Sequence, residues 1–134
     1  ACGNNYGPNQ DYEKFIPRSI RLAKSGKPIE LYGSGLNIRD WVHVDNHSSA
    51  ILFILERQLT GHYNIGVNDE WSNLRLAQLI NFELGINREN LKYINDRSGH
   101  DRRYGLSSDR LLSLGWEPLG MRMDEQLSQL IEFY

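Results

Sequence analysis

The sequence predicts an α/β domain in which a small mixed sheet carries packed helices. Three observations predict it. Short β-rich runs at 29–32, 38–44 and 91–94 alternate with stretches of helical period. Gly26, Gly61, Gly85 and Gly115 each follow such a stretch or its connection, where chains stop helices. The 134 residues, 40% hydrophobic and 24% charged, suit one domain with one core.

Residues 1–8 read as the exit of a strand into a turn built from Asn, Gly and Pro. No methionine opens the chain, which suggests a piece of a longer protein. Residues 12–25 read as a helix with Ile16, Ile20 and Ala23 inward and Pro17 in the first turn, where its missing N–H costs nothing. Residues 29–32 and 38–44 read as two strands joined at Gly33-Ser34-Gly35, hence a hairpin. Asp45 is the expected cap of a helix at 46–58 whose inner face is Ala50, Ile51, Ile54 and Leu55. Residues 63–65 read as a short strand. Ser72 or Asn73 caps a third helix with Leu76, Ala77, Ile80 and Leu84 inward. A strand at 91–94 follows, then a short helix at 109–114. The last helix shows Met123, Leu127, Leu130, Ile131 and Tyr134 as one stripe. Trp41 and Trp116 read as core residues.

Composition removes several functions. The formal net charge of -2 gives no basic field for nucleic acid. The longest strongly apolar run, residues 50–55, is too short to span a bilayer. A single cysteine, Cys2, allows no internal disulfide and fits a reducing cytoplasm, and no secretory signal opens the chain. His43 and His47 are four apart, but a strand-to-helix junction separates them and no partner completes a zinc set, so no metal is expected.

Four polar segments do not fit the core: 4–14, 32–39, 68–73 and 96–103. Each lies at a strand end or helix start, where sites usually sit. The last gathers Asp96, Arg97, His100, Asp101, Arg102 and Arg103 around Gly99. Guanidinium forks match phosphate oxygens, so this loop reads as an anion site as readily as a solvated turn.

The motifs come in a telling order: Asn4-Asn5-Tyr6-Gly7-Pro8, Glu13-Lys14, Leu31-Tyr32-Gly33, Arg39-Asp40-Trp41-Val42, Tyr63-Asn64-Ile65-Gly66, Gly99-His100-Asp101-Arg102-Arg103-Tyr104 and Leu114-Gly115-Trp116. The series resembles the C-terminal part of nucleotide-sugar 4,6-dehydratases, most closely those acting on dTDP-glucose, in the extended short-chain dehydrogenase/reductases. The resemblance covers essentially all of residues 1–134, read as one nucleotide-sugar-binding portion without the N-terminal Rossmann core. It implies Asn4 as a sugar or phosphate contact and Asn5 as a contact to NAD. Glu13 and Lys14 would lie near sugar and diphosphate, with Glu30, Leu31 and Tyr32 as the wall beside the base. Arg39 and Arg97 would grip the diphosphate. Asn73 would meet phosphate or ribose and present helix N-terminal amides to the anion. Asp96 and His100 would belong to the same nucleotide-binding loop.

Ser98 stands where the family has proline, and Glu30 and Gly3 also depart from its commoner choices, which leaves thymine against uracil open. The family oxidises the sugar at C4 with NAD, eliminates water across C5 and C6, and returns the hydride to C6. It is expected to work as a cytoplasmic homodimer on dTDP- or UDP-glucose. Neither its glycine-rich NAD turn nor its Tyr-x-x-x-Lys is found here: Gly33-Ser34-Gly35 lacks the third glycine, and no tyrosine has lysine four residues on. No catalytic residue is therefore expected within this chain, and apolar surface made to face a Rossmann lobe should be left uncovered. A related epimerase or decarboxylase, or a nucleotide-sugar-binding remnant without activity, stays open beside this reading.

Overall fold

The computed structural model describes residues 1–96, 99 and 102–134. Its elements run β1 (Asn4–Tyr6), α1 (Phe15–Lys24), β2 (Ile29–Tyr32), β3 (Ile38–His43), α2 (Val44–Glu56), β4 (Glu70–Ser72), α3 (Asn73–Glu83), β5 (Leu91–Ile94), β6 (Arg103–Tyr104), α4 (Asp109–Ser113) and α5 (Met123–Phe133).

β3 is the hub. β1 pairs parallel with its second half, Asn4 opposite Trp41 and Tyr6 opposite His43. β4 pairs antiparallel and β6 parallel with its first half, so Arg39 lies opposite both Trp71 and Tyr104. The sheet is mixed, as its sequence suggests. The expected hairpin does not form. β2 leaves β3 and pairs parallel with β5, in a sheet of two strands. Gly33 and Gly35 take φ values of 57° and 70°, a left-handed turn that re-aims the chain instead of folding it back. Leu74 then donates to the Gly35 carbonyl at 2.8 Å, so the turn serves α3.

Side chains alternate along β3, and the alternation divides the core. Trp41 faces a cluster with Ile16, Ile20, Leu31, Leu76, Ile80, Met123 and Leu127. Val42 faces a smaller one with Ala50, Phe53, Ile65, Leu111 and Trp116. Both expected core tryptophans are thus buried.

The helices start and stop for local reasons. Pro17 is the third residue of α1, and the helix ends in a Gly26 turn where the Lys27 amide reaches back to Leu22. α2 begins two residues before the expected start, and its cap is His43, whose Nδ1 accepts from the Asp45 amide at 3.1 Å. Its inner face also differs from expectation. Asn46, Ala50 and Phe53 are buried, while Ile51, Leu52 and Leu55 are exposed. Ser72, not Asn73, caps α3 by accepting from the Arg75 amide. Residues 63–65 make only one bridge, Ile65 to Cys2. Tyr104 is 37% exposed and lies outside both core clusters.

Two buried carboxylates lace the loops to this frame. Asp40, on β3, accepts from the amides of Val67 and Asp69, each at 2.9 Å. Asp69 accepts from Trp71 Nε1 at 2.9 Å, from Arg122 at 3.1 Å and from the Met123 amide at 2.6 Å. An anion therefore sits at the N-terminus of α5, where the helix dipole favours it. Ser108 holds Gly66 from both sides, accepting from its amide at 2.6 Å and donating to its carbonyl at 2.7 Å.

Candidate functional site

The elements leave a cleft of about 410 Å³ between α1 and the strands. That volume lies within the ~300–1,000 Å³ usual for small-molecule sites. One wall is α1, whose residues Phe15, Arg18, Ser19 and Leu22 fall on one stripe with Lys14 just before it. The opposite wall is β2, which turns Ile29 and Leu31 into the core and Glu30 and Tyr32 toward the cleft. Asn4 from β1, Arg39 and Trp41 from β3, Asn37 and Asn73 complete the lining.

Seven of the sequence-predicted site residues thus meet: Asn4, Glu13, Lys14, Glu30, Tyr32, Arg39 and Asn73. They come from segments up to about seventy positions apart. Asn5 opens instead into an adjoining hollow of about 250 Å³ with Gln10, a hollow that shares Asn4, Lys14, Phe15 and Trp41 with the cleft. Leu31 is fully buried, so its side chain belongs to the core and not to the site. Asp96 packs under the Gly33 turn, its carboxylate 2.9 Å from where a β-carbon on Gly33 would stand. Arg97 and His100 lie outside the described residues.

Three cations, Lys14, Arg18 and Arg39, face two carboxylates, Glu13 and Glu30. Glu30 is ion-paired to Arg18 across the cleft. Arg39 bends one guanidinium nitrogen back to the Ile38 carbonyl at 2.9 Å. The expected supply of helix amides at Asn73 is already used. Asn73 donates to Asn37, Leu74 to Gly35 and Arg75 to Ser72. The first amides of α3 are therefore not available to an anion in the cleft.

Two atoms signal a ligand more directly. Among the described residues, Tyr6 OH, Trp41 Nε1, Asn73 Oδ1 and Asn81 Oδ1 are buried without a hydrogen-bond partner, and the two at the cleft are the Trp41 donor and the Asn73 acceptor. Both residues line the cleft. A buried polar group left unpaired costs about 1–3 kcal/mol, so such groups are normally satisfied by something. No local pattern marks the Trp41 donor, because an indole buried in a core looks the same whether or not its N–H is paired. Arg18 was missed as well. Its only signal was a spacing of four from Lys14 on a helix face.

Asn5 is held by its neighbours. The Gly3 carbonyl can only accept, so it fixes the Asn5 amide nitrogen on that side, at 3.4 Å. The Asn5 oxygen then faces His47 Nδ1 at 2.8 Å, which makes His47 the donor. Burial pushes the Cys2 thiol up from its ordinary value, so the thiolate is disfavoured. Among the described residues no group of three or more His, Cys, Asp or Glu is placed to hold a metal ion, and no helix is long and apolar enough to cross a membrane.

His43 carries a pH dependence. Burial pulls its pKa below the ordinary 6.5, against a weaker upward pull from Asp45. Its Nδ1 lone pair caps α2, and protonation would remove that acceptor. The unfolded chain takes up a proton near pH 6.5 that the folded chain refuses, so stability holds above that pH and falls as pH drops below it. The melting temperature should therefore decline between about pH 7 and 5. His43→Asn, which keeps an acceptor but cannot titrate, should flatten that decline. An unchanged slope would place the titration elsewhere.

Comparison with known proteins fits this geometry. Residues 1–66 match the NAD dependent epimerase/dehydratase family. The architecture is shared with two solved dTDP-glucose 4,6-dehydratases. One, from Bacillus anthracis in complex with NAD, is 40% identical at a TM-score of 0.91, over 99% of this chain and 42% of that one. A double mutant from Streptomyces venezuelae with NAD bound is 35% identical at a TM-score of 0.92, with the same coverage. The chain thus has a nucleotide-sugar 4,6-dehydratase-like fold of the extended short-chain dehydrogenase/reductase type. Among curated proteins, the dTDP-glucose 4,6-dehydratase of Mycolicibacterium smegmatis is 41% identical over 99% of this chain. The chain spans about 41% of that relative's length.

Proposed function

We propose that this chain is the C-terminal, nucleotide-sugar-binding portion of an NAD-dependent 4,6-dehydratase acting on dTDP-glucose. The observation that carries the proposal is the cleft itself. It joins Lys14 and Arg39 to an unpartnered buried donor and an unpartnered buried acceptor. A diphosphate wants fixed cationic donors, and sugar hydroxyls both donate and accept. Trp41 Nε1 can give to a ligand oxygen, and Asn73 Oδ1 can take from a hydroxyl. Asn4 and Lys14 border both the cleft and the adjoining hollow, a place where a sugar could pass toward Asn5. Arg97 and His100 are proposed to add to the diphosphate grip.

NAD supplies a hydride acceptor when bound. The Gly33–Gly35 turn offers its phosphates no glycine amide, because Gly33 donates to the Ile94 carbonyl and Gly35 to the Tyr32 carbonyl. Asn5 is the one contact proposed for it, held in orientation by His47. No proton-moving step is assigned to this chain. A Rossmann lobe, a homodimeric assembly and a cytoplasmic setting belong to the same proposal.

Calorimetric titration with dTDP and UDP tests it. Both should bind, and Arg39→Ala should weaken binding by roughly 1.5–3 kcal/mol, the scale of a charged hydrogen bond. Arg39→Lys should recover only part, because the fork is lost. The 134 residues should bind without turning over dTDP-glucose. Undiminished affinity in Arg39→Ala would move the diphosphate out of this cleft.

A further inference from the structure

The Arg18–Glu30 pair spans the cleft from α1 to β2. It is a single contact, from Arg18 Nη2 to Glu30 Oε2. Among the described residues neither side chain makes another hydrogen bond, and both remain partly exposed, at 37% and 27%. Glu30 Oε1 is therefore a ready acceptor, and the rest of the Arg18 fork is a set of ready donors. The pair is also neutral as a whole. That makes it a poor ligand for a diphosphate, which Lys14 and Arg39 suit better. Arg18 stands one helical turn from Lys14, about 6 Å along α1. Leu22 lies a further turn on, and Tyr32 flanks Glu30 on β2. This end of the cleft thus offers an apolar and aromatic surface beside one acceptor and one donor.

We propose that Arg18 and Glu30 together read the edge of the nucleotide base and select a pyrimidine-dione, whose ring N–H lies between two carbonyl oxygens. The proposal rests on the nucleotide-binding reading above. Glu30 accepts from the ring N–H, and Arg18 donates to an adjacent carbonyl oxygen. Because the dione edge is symmetrical about its N–H, the contact forms whichever side Arg18 occupies. Cytosine presents a ring acceptor beside an amino donor and fits in one order only. Guanine flanks its ring N–H with a carbonyl on one side and an amino group on the other. Glu30 places a charge beside the base without repelling it, because Arg18 already balances that charge.

The test is calorimetry on the intact protein with four probes: UDP, UDP methylated at ring N3, CDP, and inorganic pyrophosphate. The wild type should bind UDP about tenfold or more tighter than its N3-methyl form, since the methyl removes a charge-assisted hydrogen bond. Arg18→Leu and Glu30→Leu should each weaken UDP about tenfold, erase the difference between the two UDP forms, and leave pyrophosphate unchanged. Equal binding of both UDP forms by the wild type would overturn the proposal and leave the nucleotide-binding reading intact. So would CDP binding as tightly as UDP, or pyrophosphate losing as much as UDP in either variant. A wild type that binds none of the probes would sink both.

Discussion

Asp69→Ala should be the most damaging single change outside the cleft. Its carboxylate is 1% exposed and accepts from an indole, a guanidinium and the first amide of α5. Truncation strands the Trp71 N–H and the Met123 amide in the interior and leaves Arg122 without its anion. Removing one partner of such a buried network costs on the order of 3–5 kcal/mol. For a domain that is marginally stable to begin with, that is a large fraction of the total. Chemical denaturation should show the loss, and helical ellipticity should fall with it, because α5 loses the carboxylate that accepts from its first amide. Asp69→Asn should fall between, since an amide keeps one acceptor but turns an N–H₂ toward the other donors. A wild-type midpoint in Asp69→Ala would mean that water replaces the carboxylate at no cost.

Gly66→Ala should come second. A β-carbon there would stand 2.2 Å from the Leu106 carbonyl oxygen and 2.7 Å from Asp40 Oδ2. Neither obstacle is the tip of a flexible chain. The first is backbone, and the second belongs to a carboxylate whose two oxygens each accept from an amide. Residues 105–108 would have to back away, and the two Ser108 bonds to Gly66 would stretch or break. Overpacking of this kind costs about 1–3 kcal/mol, and the lost bonds add about 1 more. The melting temperature should drop by roughly 10 °C. Ser108→Ala is the control: it removes the same bonds without the clash and should cost clearly less. Equal melting of Gly66→Ala and the wild type would show that the 105–108 segment yields freely.

What the sequence could reveal follows the range of the interactions. α3 and α5 were legible because polar residues break their apolar positions into a stripe, so Leu76, Ala77 and Ile80, or Met123, Leu127 and Leu130, could face only one way. α2 was not. Residues 50–55 are apolar all round, and such a run does not fix which side faces in. Phe53 and Asn46 settle it, the latter by accepting from the Leu119 amide at 2.6 Å, a contact that no local pattern announces. The hairpin failed for the same reason. β2 finds its partner sixty residues on, while the nearer strand offered the pattern of a local pair. β4 and β6 are two or three residues long and polar, so they carried no strand signal. The residues of the candidate cleft were easier to single out than the sheet, since seven of those named from the sequence line it together. What escaped was geometry: that Leu31 turns inward, that the α3 amides are already committed, and that Arg18 reaches Glu30.

Tyr134 has one more role to play. Its hydroxyl accepts from the Gln10 amide and donates to the Gly7 carbonyl, both at 2.8 Å, so the residue after α5 stitches the turn that leads out of Asn4 and Asn5. Helix ends fray, and they open locally far more often than the whole domain unfolds. Each time the last turn of α5 lifts, the 7–10 turn loses its tether. Deuterium uptake at Gln10 should therefore keep time with the end of α5 and not with β1, its neighbour in sequence. The breathing of the helix end would then set how firmly one border of the cleft is held, and a bulky label on Tyr134 would be felt 124 positions away.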